Sequence, residues 1–143
     1  MESKIYLSIG SNSGDRRAFI AKAVDELGRL GRVRVSRPYE SEPEGFESAN
    51  SFVNVAVELT VERQEQWSEA DALGLLECMQ GIERRISAMP HRNADGSYRD
   101  REIDIDIISI EGFAMTSPRL TIPHPRAASR AFVMEPLHEL LGL

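Results

Sequence analysis

The feature that most narrows the possible folds is the succession of hydrophobic spacings, which alternates between strand-like and helix-like along the whole chain. Ile5-Tyr6-Leu7-Ser8-Ile9 is a short β-prone run, halted by Gly10-Ser11-Asn12-Ser13-Gly14-Asp15. Asp15 can cap a helix in which Phe19, Ala23, Leu27 and Leu30 recur at helical spacing. Val33-Arg34-Val35 alternates as a half-buried strand. Val53, Val55, Val57 and Leu59 alternate again, which puts Phe52, Asn54, Ala56 and Glu58 on the opposite face. Ser68-Glu69-Ala70-Asp71 has the form of a capping box, and the helix it opens carries Leu75, Met79, Ile82 and Ile86 as its apolar stripe. Glu102 to Ile110 returns to strand spacing.

The order βαββαβ predicts an α+β fold of the ferredoxin-like kind: an antiparallel sheet with helices packed on it. In this reading the first and last strands lie side by side at the sheet centre. Residues 40–50 and 87–101 have no periodicity and read as loops. The tail holds Pro118, Pro123, Pro125 and Pro136, so an irregular C-terminal extension is expected. With 143 residues and neither linker nor repeat, a single domain over 1–143 is expected.

Charge restricts function. A net charge of −6 argues against a nucleic-acid partner, which would need a basic face. No apolar run approaches the roughly 20 residues needed to span a bilayer, and Met1-Glu2-Ser3-Lys4 leads straight into a strand. One cysteine, Cys78, allows no internal disulfide, so a cytoplasmic location is expected. Residues 38–83 carry eleven acids and one base, Arg63, whereas residues 84–130 carry eight arginines and no lysine. The arginine fork suits phosphate or carboxylate and hints at a small polyanion. Codon bias is the alternative, because Lys4 and Lys22 are the chain's two lysines.

The sharpest chemical feature is Asp104-Ile105-Asp106. Residues i and i+2 of a strand share a face about 7 Å apart, at about 3.3 Å per residue. Two carboxylates that close in an Ile-rich strand call for cations, and magnesium takes one or two carboxylates with phosphates and waters. An isolated Asp-x-Asp is more often solvated; here Arg92, Arg99 and Arg101 crowd its approach and favour a metal–phosphate site. In Arg119-Leu120-Thr121-Ile122-Pro123-His124-Pro125-Arg126 two prolines fix the backbone around His124, although spacing alone reads as a surface loop. Gln80 and Glu83 share a helix face beside the apolar stripe. Neither a P-loop nor a Gly-x-Gly-x-x-Gly sequence occurs, so phosphate would be handled by arginines and metal.

Gly10-Ser11-Asn12, Tyr39-x-Ser41-x-Pro43-x-Gly45, Phe52-x-Asn54, Gln80-x-x-Glu83, Arg101-x-x-Asp104-x-Asp106 and Arg119-x-Thr121-x-Pro123-His124 occur in that order. Together this set resembles the 6-hydroxymethyl-7,8-dihydropterin pyrophosphokinases of folate biosynthesis, over Ile5 to about Leu140. The resemblance implies transfer of the β,γ-diphosphate of ATP to the pterin hydroxymethyl group, with AMP released; a monomer is expected. It implies two magnesium ions on Asp104 and Asp106. Gln80, Glu83, Arg101, Ile107, Arg119, Thr121, His124 and Arg130 would bind ATP. Ser41, Pro43, Phe52, Asn54, Tyr98 and Phe132 would form the pterin pocket, with Asn54 offering donor and acceptor to the ring edge and Tyr98 standing where the family has tryptophan. Arg92 and Arg101 would be the catalytic arginines. The family's Gly-Arg-x-Arg and Arg-Trp-Gly-Pro-Arg are replaced here by Ser87-Ala88-Met89-Pro90-His91-Arg92 and Tyr98-Arg99-Asp100-Arg101. A non-catalytic ferredoxin-like module that binds nucleotide or metal, or an inactive relative of the enzyme, are the alternative readings.

Overall fold

A computed structural model describes residues 1–44, 46, 48–88 and 92–143. Gly45 of the loop motif and the Met89-Pro90-His91 part of the arginine loop lie outside the described residues. Strand β1 (Glu2–Ser11) leads into α1 (Arg16–Leu27), where the Asp15 carboxylate accepts from the Ala18 N–H at 3.2 Å and caps the helix. After β2 (Arg32–Val35) and β3 (Tyr39–Ser41) comes the long β4 (Phe52–Glu62). Ser68 and Asp71 close the anticipated capping box on α2 (Glu69–Ile86). Strand β5 (Asp104–Ile110) follows the arginine loop.

The sheet runs β2-β4-β1-β5, with β3 also paired to β4, and its pairings are antiparallel. The first and last strands are neighbours, as expected, but they do not share the centre. The middle of the sheet is β4 and β1, and β5 is at the edge. The outer edge of β5 is covered by the tail, where the His124 N–H donates to the Ile108 carbonyl at 2.8 Å. Tyr39, Glu40 and Ser41 form strand β3 where residues 40–50 read as loop, because β4 begins early enough to pair with them.

Alternation divides the two faces. Ile5, Leu7, Ile9, Val53, Val55, Val57, Leu59, Ile105 and Ile107 are buried beneath α1 and α2, each side chain contributing about 1.5–3 kcal/mol. The opposite face packs Ala56 and Ile108 against Val133, Leu137 and Leu140. Those three belong to α3 (Ala131–Leu141), so the extension is more regular than its prolines suggested. Pro136 sits inside α3, and its buried ring packs as an apolar residue while one helical N–H is absent. A two-stranded ladder of β6 (Met115–Thr116) and β7 (Thr121–Ile122) precedes it. Among the described residues no helix is long and apolar enough to cross a membrane.

Candidate functional site

Helix α3 covers only part of its face of the sheet. The remainder is a cavity of about 410 Å³, floored by the polar positions of β1, β4 and β5. Register creates it: Gly10 lies opposite Asp104 on one side and Asn54 on the other, and Ser8 lies opposite Asp106. A Cβ on Gly10 would come within 3.0 Å of Asn54 Oδ1 and 3.4 Å of Phe52 Cδ1, so the floor admits only glycine without displacement. The cavity gathers Asp104, Asp106, Arg92, Arg101, His124 and Arg130 with Ser41, Phe52, Asn54, Tyr98 and Phe132.

The carboxylates are unequal. Asp106 is held well above the ordinary aspartate range by burial first, then by repulsion from Asp104. Asp104 receives the Arg101 guanidinium at 2.6 Å. The Nε atoms of Arg99 and Arg101 are buried without a hydrogen-bond partner among the described residues. The same residues contain no group of three or more His, Cys, Asp or Glu that could hold a metal ion unaided. A metal here would rest on two carboxylates and complete its shell with phosphate and water, a donor set that suits magnesium.

Asn54, Arg92, Arg130 and His124 are already engaged. Both Nδ2 hydrogens of Asn54 are donated, to the Tyr39 carbonyl at 3.0 Å and to Ser41 Oγ at 2.9 Å, so the amide ties β3 to β4. The expected donor-and-acceptor presentation to a ring is thereby reduced to the Oδ1 acceptor. The Arg92 guanidinium covers the Tyr98 ring at 4.1 Å and donates to the Gly96 carbonyl, while Arg101 lies 5.5 Å from the same ring. Arg130 donates to Glu44 at 3.0 Å through Nε and approaches it at 2.8 Å through a terminal nitrogen. His124 Nδ1 accepts from the Arg126 N–H at 3.2 Å, which leaves the proton on Nε2. Burial, then Arg130 and Arg126, keep this imidazole below its usual pKa and therefore neutral.

Other nominated residues lie outside the cavity lining. Ile107 is buried in the helical core. Arg119 faces Glu77 at 3.6 Å on the surface, Thr121 pairs with Thr116 in the tail ladder, and Gln80 is half-buried on α2. Pro43 lines a neighbouring hollow with Ser41 and Phe132. Glu83 sits behind β5, its carboxylate accepting from the Ile105 N–H at 2.7 Å. Sequence reasoning did not single out Ser8, Glu42, Glu44, Phe46 or Arg126, all of which line the cavity. Arg126 had a signal, its place two residues after the proline-flanked histidine. Glu44 and Phe46 come from an aperiodic loop and had none.

Residues 6–142 match the family model of 7,8-dihydro-6-hydroxymethylpterin-pyrophosphokinase. The chain belongs to this family. It is 40% identical to the 2-amino-4-hydroxy-6-hydroxymethyldihydropteridine pyrophosphokinase of Porphyromonas gingivalis over 139 residues, covering 95% of this chain and 89% of that one. Identity to the enzyme of the same name from Bacillus subtilis is 32%, covering 98% and 79%. The fold is also that of the Plasmodium falciparum HPPK-DHPS crystal structure, with a TM-score of 0.68 at 13% identity, over 96% of this chain and 40% of that longer chain. Pyrophosphokinase family members are ATP-dependent diphosphotransferases of folate biosynthesis, and the chain is a pyrophosphokinase by this membership. A non-catalytic binding module is not favoured.

Proposed function

We propose that the cavity over β1, β4 and β5 is the active site, and that it transfers the β,γ-diphosphate of ATP to the hydroxymethyl group of 6-hydroxymethyl-7,8-dihydropterin. The observation that carries this is one polar floor holding two same-face carboxylates, ringed by arginines and by the rings of Phe52 and Phe132. The hydroxymethyl oxygen bonds to the β-phosphorus, the bond from that phosphorus to the α,β-bridging oxygen breaks, and AMP leaves with the bridging oxygen. The hydroxyl proton passes to solvent. Such chemistry needs positioning and charge neutralisation more than a protein nucleophile.

Asp104 and Asp106 would hold two magnesium ions, which would supply neutralisation of the polyphosphate charge. Arg101 and Arg92 act on the phosphates as charge builds, and Arg130, freed from Glu44, and the His124 Nε2–H contact the nucleotide. Gln80, Glu83, Ile107, Arg119 and Thr121, outside the cavity lining, contribute to ATP binding in this reading. Phe52 and Phe132 stack on the pterin, the Asn54 Oδ1 accepts from its edge, and Ser41, Pro43 and Tyr98 complete the pocket. The reading includes a ferredoxin-like sheet with a C-terminal helix added, in one domain over 1–143. The enzyme works in the cytoplasm as a monomer.

The carboxylates provide the test. Asp106→Ala and Asp104→Ala each abolish turnover at saturating magnesium. Asp106→Ala relieves repulsion, so its metal-free form unfolds at the same or higher urea concentration than wild type. Asp104→Ala leaves Arg101 without its carboxylate and gains no stability. Retention of most activity by either variant would sink the metal assignment.

A further inference from the structure

The β1 ladders stop at Ser11 opposite Val53 and at Gly10 opposite Asp104. Beyond them the chain entering β4 and the chain entering β5 are joined by side chains. Asn12, 1% exposed, donates its main-chain N–H to the Arg101 carbonyl at 2.9 Å and accepts the Arg101 N–H on Oδ1 at 2.7 Å. Its Nδ2 donates to Asp100 Oδ1 at 2.8 Å and to the Asn50 carbonyl at 3.3 Å. The second oxygen of Asp100 accepts from Asn50 Nδ2 at 2.9 Å. Asp100, Asn12 and Asn50 therefore form a closed cycle in which each carboxylate oxygen meets one amide.

The cycle's position gives it consequence. Asn50 stands two residues before Phe52, on the pterin side, and Asp100 precedes Arg101, on the phosphate side. We propose that Asp100 is a positioning residue that fixes the pterin wall relative to Arg101, so that the hydroxymethyl oxygen meets the β-phosphorus in line. This rests on the reading of the cavity as the pyrophosphokinase site. Asp100 touches neither substrate; it acts through Asn50 and Asn12. A displacement of about 1 Å in such a site costs on the order of a hundredfold in rate.

Asp100→Asn tests this, because the amide keeps an acceptor for Asn12 but turns a donor towards the Asn50 donor. Arg101 stays held by Asn12, so the ATP side is undisturbed and the pterin side slips. The variant is expected to lose roughly tenfold to a hundredfold in kcat/KM for the pterin. Its KM for ATP should stay within about twofold of wild type, a separation set by which tie is cut. Adding Asn50→Asp reverses the polarity of the lost bond, since the amide introduced in place of Asp100 would donate to the new carboxylate, and should restore most of the loss. An unchanged kcat/KM in Asp100→Asn overturns the proposal. So does an equal loss towards both substrates accompanied by a lowered melting temperature, or a double variant no better than the single. Wild-type protein that makes no AMP would instead overturn the reading of the site itself.

Discussion

Gly10 shows how one missing atom shapes the cavity floor. Its Cα lies between Asp104 and Asn54, and no side chain fits there unless Asn54 or Phe52 gives by a few tenths of an ångström. Asn54 has little freedom to give, because both its amide hydrogens are bonded to β3. Gly10→Ala is therefore expected to weaken pterin binding by about 1–3 kcal/mol, the usual cost of overpacking, while ATP binding changes far less. Calorimetric titration of each ligand decides it; equal losses for both would show that the floor is not specific to the pterin. The sequence marked Gly10 as part of a strand-ending turn and as the first residue of the Gly10-Ser11-Asn12 motif. Its role needs the register of three strands, which no local pattern encodes. Asn54 was assigned to the correct face from alternation alone, yet its engagement with Tyr39 and Ser41 depends on a strand pairing that the loop-like composition of 40–50 concealed.

At the scale of elements, α2 reaches through the sheet edge by one buried side chain. Glu83 accepts from the Ile105 N–H, between the two aspartates, and thus holds the edge strand that carries them. Its carboxyl is pushed up to about 8, chiefly by burial, with the Ile105 N–H opposing and the charges of Asp104 and Asp106 adding. A raised carboxyl binds its proton more tightly folded than unfolded. Its stabilising contribution is full below the ordinary value near 4.5 and is lost as pH climbs to about 8. Glu83→Gln keeps an acceptor for Ile105 without the charge. Urea unfolding without divalent metal should then show the wild type falling behind the variant between about pH 5 and 8, by at most a few kcal/mol at about 1.36 kcal/mol per pKa unit. A gap that does not change with pH would contradict it. The elements themselves were legible where local chemistry marks them: the Asp15 cap, the Ser68–Asp71 box and the valine alternation of β4. Helix α3 was not, because Pro136 argues against a helix locally and only the apolar contacts of Val133, Leu137 and Leu140 with the sheet outweigh it.

Across the whole molecule, the sheet separates packing from chemistry. One face is sealed by α1 and α2; the other is shared between α3 and the cavity. Helix α3 is held in place by a polar triad: Tyr6 Oη donates to Glu58 at 2.9 Å, and Arg34 bridges Glu58 and the Leu140 carbonyl. Burial, then Glu58, push the Tyr6 hydroxyl up to about 12, so it remains a donor at all ordinary pH. Arg92, Arg101, Arg126 and Arg130, all from the lysine-free stretch 84–130, converge on one cavity from the segment before β5 and from the tail. The most direct measurement is to mix the protein with ATP, magnesium and 6-hydroxymethyl-7,8-dihydropterin and to resolve the nucleotides formed. Pyrophosphoryl transfer yields AMP in equal amount with the pterin diphosphate; ADP as the product, or no pterin-dependent loss of ATP, would contradict it.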